Sequence, residues 1–246
     1  MTKRTKKFFI LSILVLVSIV TAILWLNGWI GFNDLRVGKY PVRGVDVSSY
    51  QGEIDWEVLS GQSIDFAFIK ATEGSSYTDP RFQYNWEQAQ QTSLQIGAYH
   101  FFSYDSAGAT QAQNFISAVP ELNTLPPVVD IEFYGDYAKK PFIKEAVSPI
   151  LNELLLTLEK QYGVKPILYA TQKSYKLYLK DDYMDYPLWI RNILREPQLQ
   201  EEQAWTFWQY SDRKRLGGYS GKERFIDLNV FNGTQEDFAD WMAAIS

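Results

Sequence analysis

Two carboxylates stand one residue apart at the end of an apolar run, in the stretch PPVVDIEF at residues 126–133. The apolar residues predict a buried strand. Alternation along a strand points Asp130 and Glu132 to the same face, with their Cα atoms roughly 6.5 Å apart. Two carboxylates in one partly desolvated cavity cannot both ionise freely, so one is held towards its protonated form. Such a pair can supply the general acid and the negative charge that cleavage of a glycosidic bond requires.

Eight segments predict strands, because short apolar or β-branched runs alternate with amphipathic segments from Pro41 onward. They read RGVDVSS, DFAFIKATEG, QIGAYHFF, PPVVDIEF, KPILYAT, YPLWIRN, WTFWQYS and RFIDLNVF. Eight strands with helices after most of them predict a closed barrel of the (β/α)₈ type. The last connectors, LREPQLQEEQ and DRKRLGGYSGKE, are too short for a good crossover helix, so we expect the final third to be hairpin-like and partly antiparallel.

Helices are predicted between several of these strands and at the C-terminus. Asp79 can cap, and Pro80 can begin, a helix between the second and third strands. The segment AGATQAQNFISAV has helical spacing, and the longest helix follows the fourth strand and ends at Gly163. Thr234 is a plausible cap for a closing helix with Asp237 in its first turn.

Every predicted strand carries a polar or aromatic group near its C-terminal end, where barrels of this type gather their working groups. In chain order these are Asp46, Lys70 with Glu73, His100, Asp130 with Glu132, Tyr169, Trp189 with Arg191, Gln209 and Asp227. Asp46 and Asp227 come from strands that are adjacent at the barrel closure, so they would add two carboxylates to the same cavity. Beside the acids, a platform for the apolar faces of sugar rings can be formed by Tyr50, Tyr134 and Trp208.

Each of these groups also has a plain structural interpretation. The acidic pair could cap the next helix or pair with Lys70 and Arg191, and single acids such as Asp46 and Asp227 often form turns. His100, the one histidine, fits a hydrogen-bonded wall better than a nucleophile's base, because the chain has no cysteine and no G-x-S-x-G elbow. The four acids could hold a metal through oxygen, but calcium-loop and paired-histidine spacings are missing. We expect no metal and no cofactor.

Composition narrows the function classes further. The chain has 24 Lys and Arg against 29 Asp and Glu, a net charge of -5, and no basic block beyond residue 7, so nucleic acid is not an expected partner. The absence of cysteine excludes disulfides and thiolate metal sites and leaves the redox compartment open. Aromatic residues make up 16% of the chain, which suits both a large core and a sugar-binding groove.

The N-terminus predicts a membrane-spanning helix. Four basic residues within residues 1–7 precede an uncharged apolar stretch from Phe8 to about Leu26, close to the ~20 residues that cross a bilayer. The basic residues place that end in the cytoplasm and the rest outside, and Trp25 and Trp29 fit an interfacial belt. A cleaved signal peptide is the rival interpretation, but its apolar region is normally shorter, and no small-x-small cleavage site follows Leu26.

Six motifs in this order resemble the glycoside hydrolase family 25 lysozymes of the Chalaropsis type: GVDVSSYQGEIDW, FAFIKATEG, GAYHFF, PPVVDIE, WQYS and IDLNVF. The resemblance runs from about Val42 to Trp241. It implies an α/β fold, a flattened and irregular TIM-like (β/α) barrel with fewer helices than a standard one. It also implies hydrolysis of the β-1,4 bond between N-acetylmuramic acid and N-acetylglucosamine in peptidoglycan.

The resemblance also implies roles for the four acids. Glu132 would be the catalytic acid/base. Asp130 would stabilise the developing positive charge, either directly or by orienting the substrate's 2-acetamido group for attack. Asp46 and Asp227 would bind substrate and tune the pair. A non-catalytic glycan-binding barrel and a hydrolase of another N-acetylated polysaccharide, such as chitin, remain as alternatives.

These expectations divide the chain into a cytoplasmic segment (1–7), a transmembrane anchor or signal sequence (8–30), a linker (31–40) and the barrel (41–246). The expected partners are peptidoglycan glycan strands and, through the N-terminal helix, the membrane; the chain is expected to be a monomer. The expected location is the cell membrane with the barrel outside, or the medium if the N-terminal segment is cleaved. No wall-binding module is expected after the barrel; with the anchor, this favours remodelling of the cell's own wall or clearing a path for a surface machine.

Overall fold

Eight strands close into a barrel in the computed structural model, which describes residues 3–200 and 203–245. The strands of this described part are β1 Arg43–Val47, β2 Phe66–Glu73, β3 Tyr77–Thr78, β4 Gln95–Phe101, β5 Val128–Ile131, β6 Ile167–Thr171, β7 Leu188–Arg191, β8 Phe207–Lys214 and β9 Ile226–Phe231. Around the barrel the order is β1, β2, β4, β5, β6, β7, β8, β9 and back to β1. The two-residue β3, which the sequence did not predict, pairs with β2 outside the ring. The predicted eight-stranded barrel is confirmed.

The final third departs from a regular barrel in one strand. β9 runs antiparallel to both of its neighbours, β8 and β1, whereas every other pair in the ring is parallel. The predicted antiparallel pairing is therefore confirmed for β8 and β9 but wrong for β7 and β8. A parallel connection needs a dozen or more residues rather than a helix as such, and residues 192–206 cross over with no helix in their described part.

Helices pack outside the barrel and across one end of it. Their bounds are α1 Lys3–Leu26, α2 Trp56–Ser60, α3 Phe82–Ala89, α4 Gly108–Ala118, α5 Lys144–Tyr162, α6 Gln172–Ser174 and α7 Gln235–Ile245. Single turns of other helix types lie at Val37–Lys39, Gly135–Ala138 and Tyr175–Leu179. Gly163 ends α5 at φ +72°, a conformation that glycine adopts without strain. The predicted cap of α7 is confirmed, because the Thr234 hydroxyl accepts the Asp237 N–H at 3.1 Å.

The predicted cap of α3 is wrong in position. The helix begins at Phe82 with Arg81 at its N-cap, two residues after Asp79. The buried Asp79 carboxylate instead accepts the backbone N–H groups of Arg81 and Ser49, each at 2.9 Å. A hydrogen-bond partner that is distant in the sequence orients this side chain towards the turn after β1 and away from the helix. The local sequence does not reveal such a partner.

The barrel interior is filled with aromatic rings and closed at one end by α7. Phe68 stacks on Trp189 with ring centroids 4.6 Å apart, and Phe207 lies between them and the base. From α7, the Phe238 ring lies 5.0 Å from Phe231 and 6.0 Å from Phe66. Because this end is packed shut, only the end where the parallel strands finish is open for a ligand.

The N-terminal helix α1 stands apart from the core, and the segment after it does not. None of the residues of α1 is buried, and its 24 residues are long and apolar enough to cross a membrane. After the helix, the Asn33 amide donates to the carbonyl oxygens of Tyr210 at 2.9 Å and Asn192 at 3.2 Å. Val37 and Tyr40 are buried. The stretch predicted as a linker, residues 31–40, is thus packed against the barrel.

Replacement of Phe238 tests the closure of the barrel base. Phe238→Ala should lower the free energy of unfolding by about 3–5 kcal/mol, because a buried aromatic ring is removed and a cavity remains. For a chain of this size that corresponds to a fall in Tm of roughly 6–20 °C. Near-ultraviolet circular dichroism of the full chain in detergent measures it. The control is Leu156→Ala on the exposed face of α5; equal losses in both variants would contradict a closed base.

Candidate active site

A cavity of about 570 Å³ opens at the carboxyl ends of the parallel strands. All four predicted carboxylates line it, together with a mixture of polar and aromatic side chains. The lining residues are Asp46, Val47, Ser48, Tyr50, Gln51, Lys70, Tyr99, Phe101, Asp130, Glu132, Phe133, Tyr169, Thr171, Trp189, Arg191, Gln209, Asp212, Glu223 and Asp227. The fold therefore brings acidic side chains from β1, β5 and β9 together at the open end of the barrel.

The acidic pair is placed by β5 and the residue that follows it. Asp130 lies within the strand, where Val128 shares its inward face, and Glu132 comes directly after the strand ends. The Tyr104 hydroxyl donates to the backbone carbonyl of Glu132 at 3.1 Å and so fixes the chain where it leaves the sheet. Both carboxylates therefore enter the same cavity, as the alternation predicted.

Besides the four acids, the sequence predicts ten substrate-binding residues, seven at the strand ends and three in the sugar platform. Six of the ten also line the cavity: Tyr50, Lys70, Tyr169, Trp189, Arg191 and Gln209. Tyr50 is the most accessible of the aromatic ones, at 62% exposure, while Tyr169 and Trp189 are 5% and 2% exposed. Tyr50 can therefore present a ring to a ligand, whereas Tyr169 and Trp189 mainly form the cavity floor.

His100 and Trp208 lie outside the cavity lining, so the structure does not support direct contact with substrate. The His100 ring is fully buried between Thr72, at 2.7 Å from its Nδ1, and Gln111, at 3.1 Å from its Nε2. The fully buried Trp208 indole donates to the Asn192 carbonyl at 2.9 Å. Both side chains point out of the barrel interior, because their strand neighbours Tyr99 and Gln209 are the ones that point inward.

Glu73 and Tyr134 also lie outside the cavity lining. Glu73 pairs with Lys70 at 2.8 Å, and the pairing of β2 shifts register between Lys70 and Thr72, which breaks the alternation before Glu73 is reached. The Tyr134 hydroxyl accepts the Tyr104 N–H at 3.3 Å, in a cluster of rings beside the cavity. These two residues support the walls rather than forming them.

Several lining residues were missed by the sequence reasoning. Tyr99 and Phe101 could have been found, because they share the inward face of β4 once His100 is placed outward. Asp212 and Glu223 flank the turn between β8 and β9, and only tertiary folding brings them to the rim. Asn229 is fully buried beneath the lining, and alternation along β9 could have found it because it shares the inward face of Asp227.

Amide side chains cross-link the acids at the barrel closure. The Gln209 amide nitrogen donates to Asp46 Oδ2 at 2.9 Å and to Asp227 Oδ2 at 3.2 Å, while its oxygen accepts the Tyr169 hydroxyl at 2.9 Å. The Asn229 amide donates to Asp46 Oδ2 at 2.8 Å. Asp46 and Asp227 are also paired across β1 and β9. Two neighbouring carboxyl groups are therefore held together by donors placed between them.

Burial raises the pKa of all four carboxyl groups above their ordinary values. For Asp130, burial and then the charge of Glu132 raise the pKa well above its usual range. Burial also raises the pKa of Glu132, while Arg191 opposes the change. For Asp227, burial and the charge of Asp46 raise the pKa well above its usual range. The pKa of Asp46 is raised by burial and moderated by the amides that donate to it.

The raised pKa values of Asp130 and Glu132 favour a proton held next to a negative charge in this arrangement. Asp130 Oδ1 is buried and has no hydrogen-bond partner within the described residues. Such an atom is costly to bury unless a ligand satisfies it. Lys70 and Arg191 are cations that line the same cavity, and Arg191 is itself held by Asp212 at 2.6 Å. Within residues 3–200 and 203–245, no group of three or more His, Asp or Glu side chains has the arrangement of a metal site.

Comparison with known proteins finds a matching family and a similar solved structure. The profile of the family described as glycosyl hydrolases family 25 matches residues 45–219. A solved family 25 glycosyl hydrolase from Bacillus anthracis superimposes with a TM-score of 0.78 at 52% identity, covering 82% of this chain and 94% of that one.

Two curated relatives resemble the chain in sequence. The uncharacterized protein YegX of Escherichia coli K12 is 35% identical over 213 residues, covering 84% of this chain and 75% of YegX. Lysozyme M1 of Streptomyces globisporus is 32% identical over 204 residues, covering 78% of this chain and 68% of that protein.

Substitution of Asp130 tests the burial of the carboxyl groups. Above the ordinary aspartate pKa of ~3.9, native Asp130 keeps a proton that the unfolded chain has lost, so its contribution to stability falls as pH rises through that window. The Asp130→Asn variant has no carboxyl group at this position and does not lose stability in this way. Its free energy of unfolding relative to that of the wild type should therefore rise by about 1.4 kcal/mol per pH unit until the native carboxyl ionises. Thermal unfolding from pH 4 to pH 8 measures the difference.

The control for this prediction is Asp136→Asn, which removes the same charge from an exposed position on the turn after β5. Its stability relative to the wild type should not acquire the pH dependence of the Asp130 variant. A difference between wild type and Asp130→Asn that stays constant from pH 4 to pH 8 would mean that Asp130 ionises normally.

Proposed function

The chain belongs to glycosyl hydrolase family 25, and we propose that it is a muramidase that cuts the β-1,4 bond between N-acetylmuramic acid and N-acetylglucosamine in peptidoglycan. The observation that carries the proposal is the pair Asp130 and Glu132 at the open end of the barrel, where the buried Asp130 and the half-buried Glu132 line one cavity and both have raised pKa values. The relative Lysozyme M1 is named for such an activity.

We assign the general acid to Glu132. Burial raises its pKa, so the carboxyl can remain protonated while the substrate binds, and it can then pass its proton to the glycosidic oxygen as the bond breaks. The Arg191 guanidinium opposes this rise in pKa, which lets Glu132 hold a negative charge afterwards. The same carboxylate can therefore take a proton from water in the second half of the reaction.

We assign stabilisation of the positive anomeric centre to Asp130. Its buried Oδ1 lacks a partner within the described residues and could accept a hydrogen bond from the N–H of a substrate acetamido group. It could equally face the developing charge directly. Both routes need Asp130 to be ionised in the transition state, which a cation in the cavity would favour over the empty site.

The remaining acids and the aromatic lining would hold the glycan. Asp46 and Asp227 each keep an oxygen on the Gln209 amide, so their other oxygens can accept hydrogen bonds from sugar hydroxyl groups. The exposed Tyr50 ring and the half-buried Phe101 offer apolar faces on which pyranose rings can stack. A long polymer can enter because the cavity is open to solvent along the rim.

Substitution of Glu132 tests the assignment. Glu132→Gln should lower the rate of reducing-sugar release from purified peptidoglycan by ~10² or more, the loss expected when a general acid is removed. The matched control is Glu121→Gln, at an exposed position on the loop before β5, which should retain the wild-type rate. Binding of peptidoglycan without cleavage by the wild type would instead identify a glycan receptor.

The N-terminal segment is proposed to anchor the enzyme in the membrane. Helix α1 carries no buried residue, its apolar part spans about 30 Å, and basic residues precede it, so the helix can cross a bilayer with the barrel on the outer side. We propose a cytoplasmic segment at residues 1–7, an anchor at residues 8–30 and the barrel domain beyond it. Residues 31–40 then join the two as a packed connection.

Intact-mass analysis of the protein from a bacterial host tests the anchor. The chain should remain in membranes washed with alkaline carbonate, and its mass should include residues 8–30. A replacement of residues 1–26 by a cleavable signal peptide serves as the control and should appear in the soluble extracytoplasmic fraction. A soluble wild-type chain that begins after Leu26 would contradict the anchor and identify a secreted enzyme.

A further inference from the structure

Three arginines gather around one phenylalanine ring on the turn between β8 and β9. The guanidinium carbons of Arg213, Arg215 and Arg224 lie 5.6, 5.8 and 5.5 Å from the centroid of the Phe225 ring. Arg213 lies near the end of β8, and Arg224 and Phe225 lie just before β9. Residues far apart along the hairpin are thus folded into one cationic cluster, which we call the arginine cluster.

The arginine cluster lacks a counter-ion among the residues that the structure describes. The ion pairs found there involve other cations, and none joins these three guanidinium groups to a carboxylate. The Nε of Arg215 is buried and has no hydrogen-bond partner within the described residues. Three like charges around one ring repel one another, and a buried donor without an acceptor is costly. Both features are relieved by a bound anion.

The cluster lies at the point where α1 ends. The Arg213 guanidinium covers the Trp25 ring at 4.5 Å, and Arg224 donates to Asn27 Oδ1 at 2.7 Å. Gly28 has φ +75°, and a Cβ there would lie 2.5 Å from the Arg213 carbonyl oxygen. Only glycine allows this approach, so the contact between the helix end and the hairpin is part of the fold.

A second contact fixes the chain that leaves the helix. Lys214 forms an ion pair with Asp34 at 2.5 Å and donates to the Trp29 carbonyl at 3.4 Å. Lys214 is therefore occupied in holding the connection, whereas none of the three arginines is paired with a carboxylate within the described residues. If α1 spans the bilayer, its last residues are at the level of the lipid phosphates, and so is the arginine cluster.

An apolar groove runs from this place along the outer half of α1. It has a volume of about 550 Å³ and lies between the helix and the chain that folds back beside it. Its lining includes Val17, Thr21, Ala22, Trp25, Ile30 and Phe32. A groove of this composition at this depth would face hydrocarbon, and its mostly apolar lining suits an acyl chain.

We propose that the arginine cluster and this groove form a binding site for an anionic phospholipid of the outer leaflet. The phosphate would accept hydrogen bonds from Arg213, Arg215 and Arg224, whose planar donors match phosphate oxygens, and one acyl chain would lie in the groove. The inference rests on the proposed membrane anchor and is independent of the muramidase assignment.

The site would fix the direction in which the cavity faces. Asp212 and Glu223 line the cavity, and each directly precedes an arginine of the cluster. The same hairpin therefore presents acids to the cavity and arginines to the bilayer. With a lipid bound, the barrel would be held at a set angle to the membrane surface rather than turning freely on its anchor.

Native mass spectrometry of the full chain in dodecyl maltoside tests the proposal. The probes are dioleoyl phosphatidylglycerol and dioleoyl phosphatidylcholine, which share acyl chains and differ in net charge. The wild type should bind phosphatidylglycerol at least tenfold more tightly. The variant R213Q/R215Q/R224Q should lose roughly 10² in that affinity, from three charges at a lipid surface. The control K139Q/K140Q/K160Q, altered at exposed positions of the loop after β5 and of α5, should bind as the wild type does.

The variant R213K/R215K/R224K guards against a folding defect, because it keeps the charge and should retain a preference for phosphatidylglycerol. Equal binding of the two lipids by the wild type, or wild-type binding by the glutamine variant, would overturn the proposal. Displacement of phosphatidylglycerol by 10 mM inorganic phosphate would assign the cluster to a soluble phosphate and overturn the lipid. Hydrolysis of soluble glycan in the same samples separates the two proposals, since the glutamine variant should hydrolyse at the wild-type rate.

Discussion

Four carboxyl groups at the open end of the barrel, one buried and three half-buried, constrain the rest of this structure. Removing carboxylates from water is costly, and holding several together adds repulsion. The fold offsets the cost with donors that reach between the acids, chiefly the amide of Gln209, and with Arg191 at the rim. The groups that remain unsatisfied, above all Asp130 Oδ1, are the ones that a substrate could satisfy. The same unsatisfied carboxyl groups thus destabilise the empty site and prepare it for a cationic transition state.

The barrel makes this arrangement possible by being closed elsewhere. Stacked aromatic rings fill its interior, and Phe238 from α7 seals its base, so that the cavity has a single open end. Its one antiparallel strand, β9, brings Asp227 opposite Asp46. A regular parallel strand in that place would present a different residue to the closure. The irregularity of the final third is therefore connected directly with the chemistry of the mouth.

The sequence predicted the parts of this structure that depend on local pattern. The eight strands and the joint orientation of Asp130 and Glu132 follow from alternation, which is a short-range property. The prediction failed for His100 and Trp208, whose side chains were assigned to the wrong face of their strands. It also failed for Glu73, because the register shift in β2 interrupts the alternation before that residue. Contacts between distant segments gave no local signal: Asp79 bonded to the turn after β1, and Asn33 anchoring the supposed linker to Tyr210.

The most direct test of the account identifies the bond that is cut. Purified peptidoglycan is digested with the full chain, the new reducing ends are reduced with borohydride, and the products are identified by mass spectrometry. The account predicts reduced muramic acid at the new ends, because the acid at Glu132 would protonate the oxygen that links N-acetylmuramic acid to N-acetylglucosamine. New ends carrying reduced glucosamine, or no new ends at all, would contradict it.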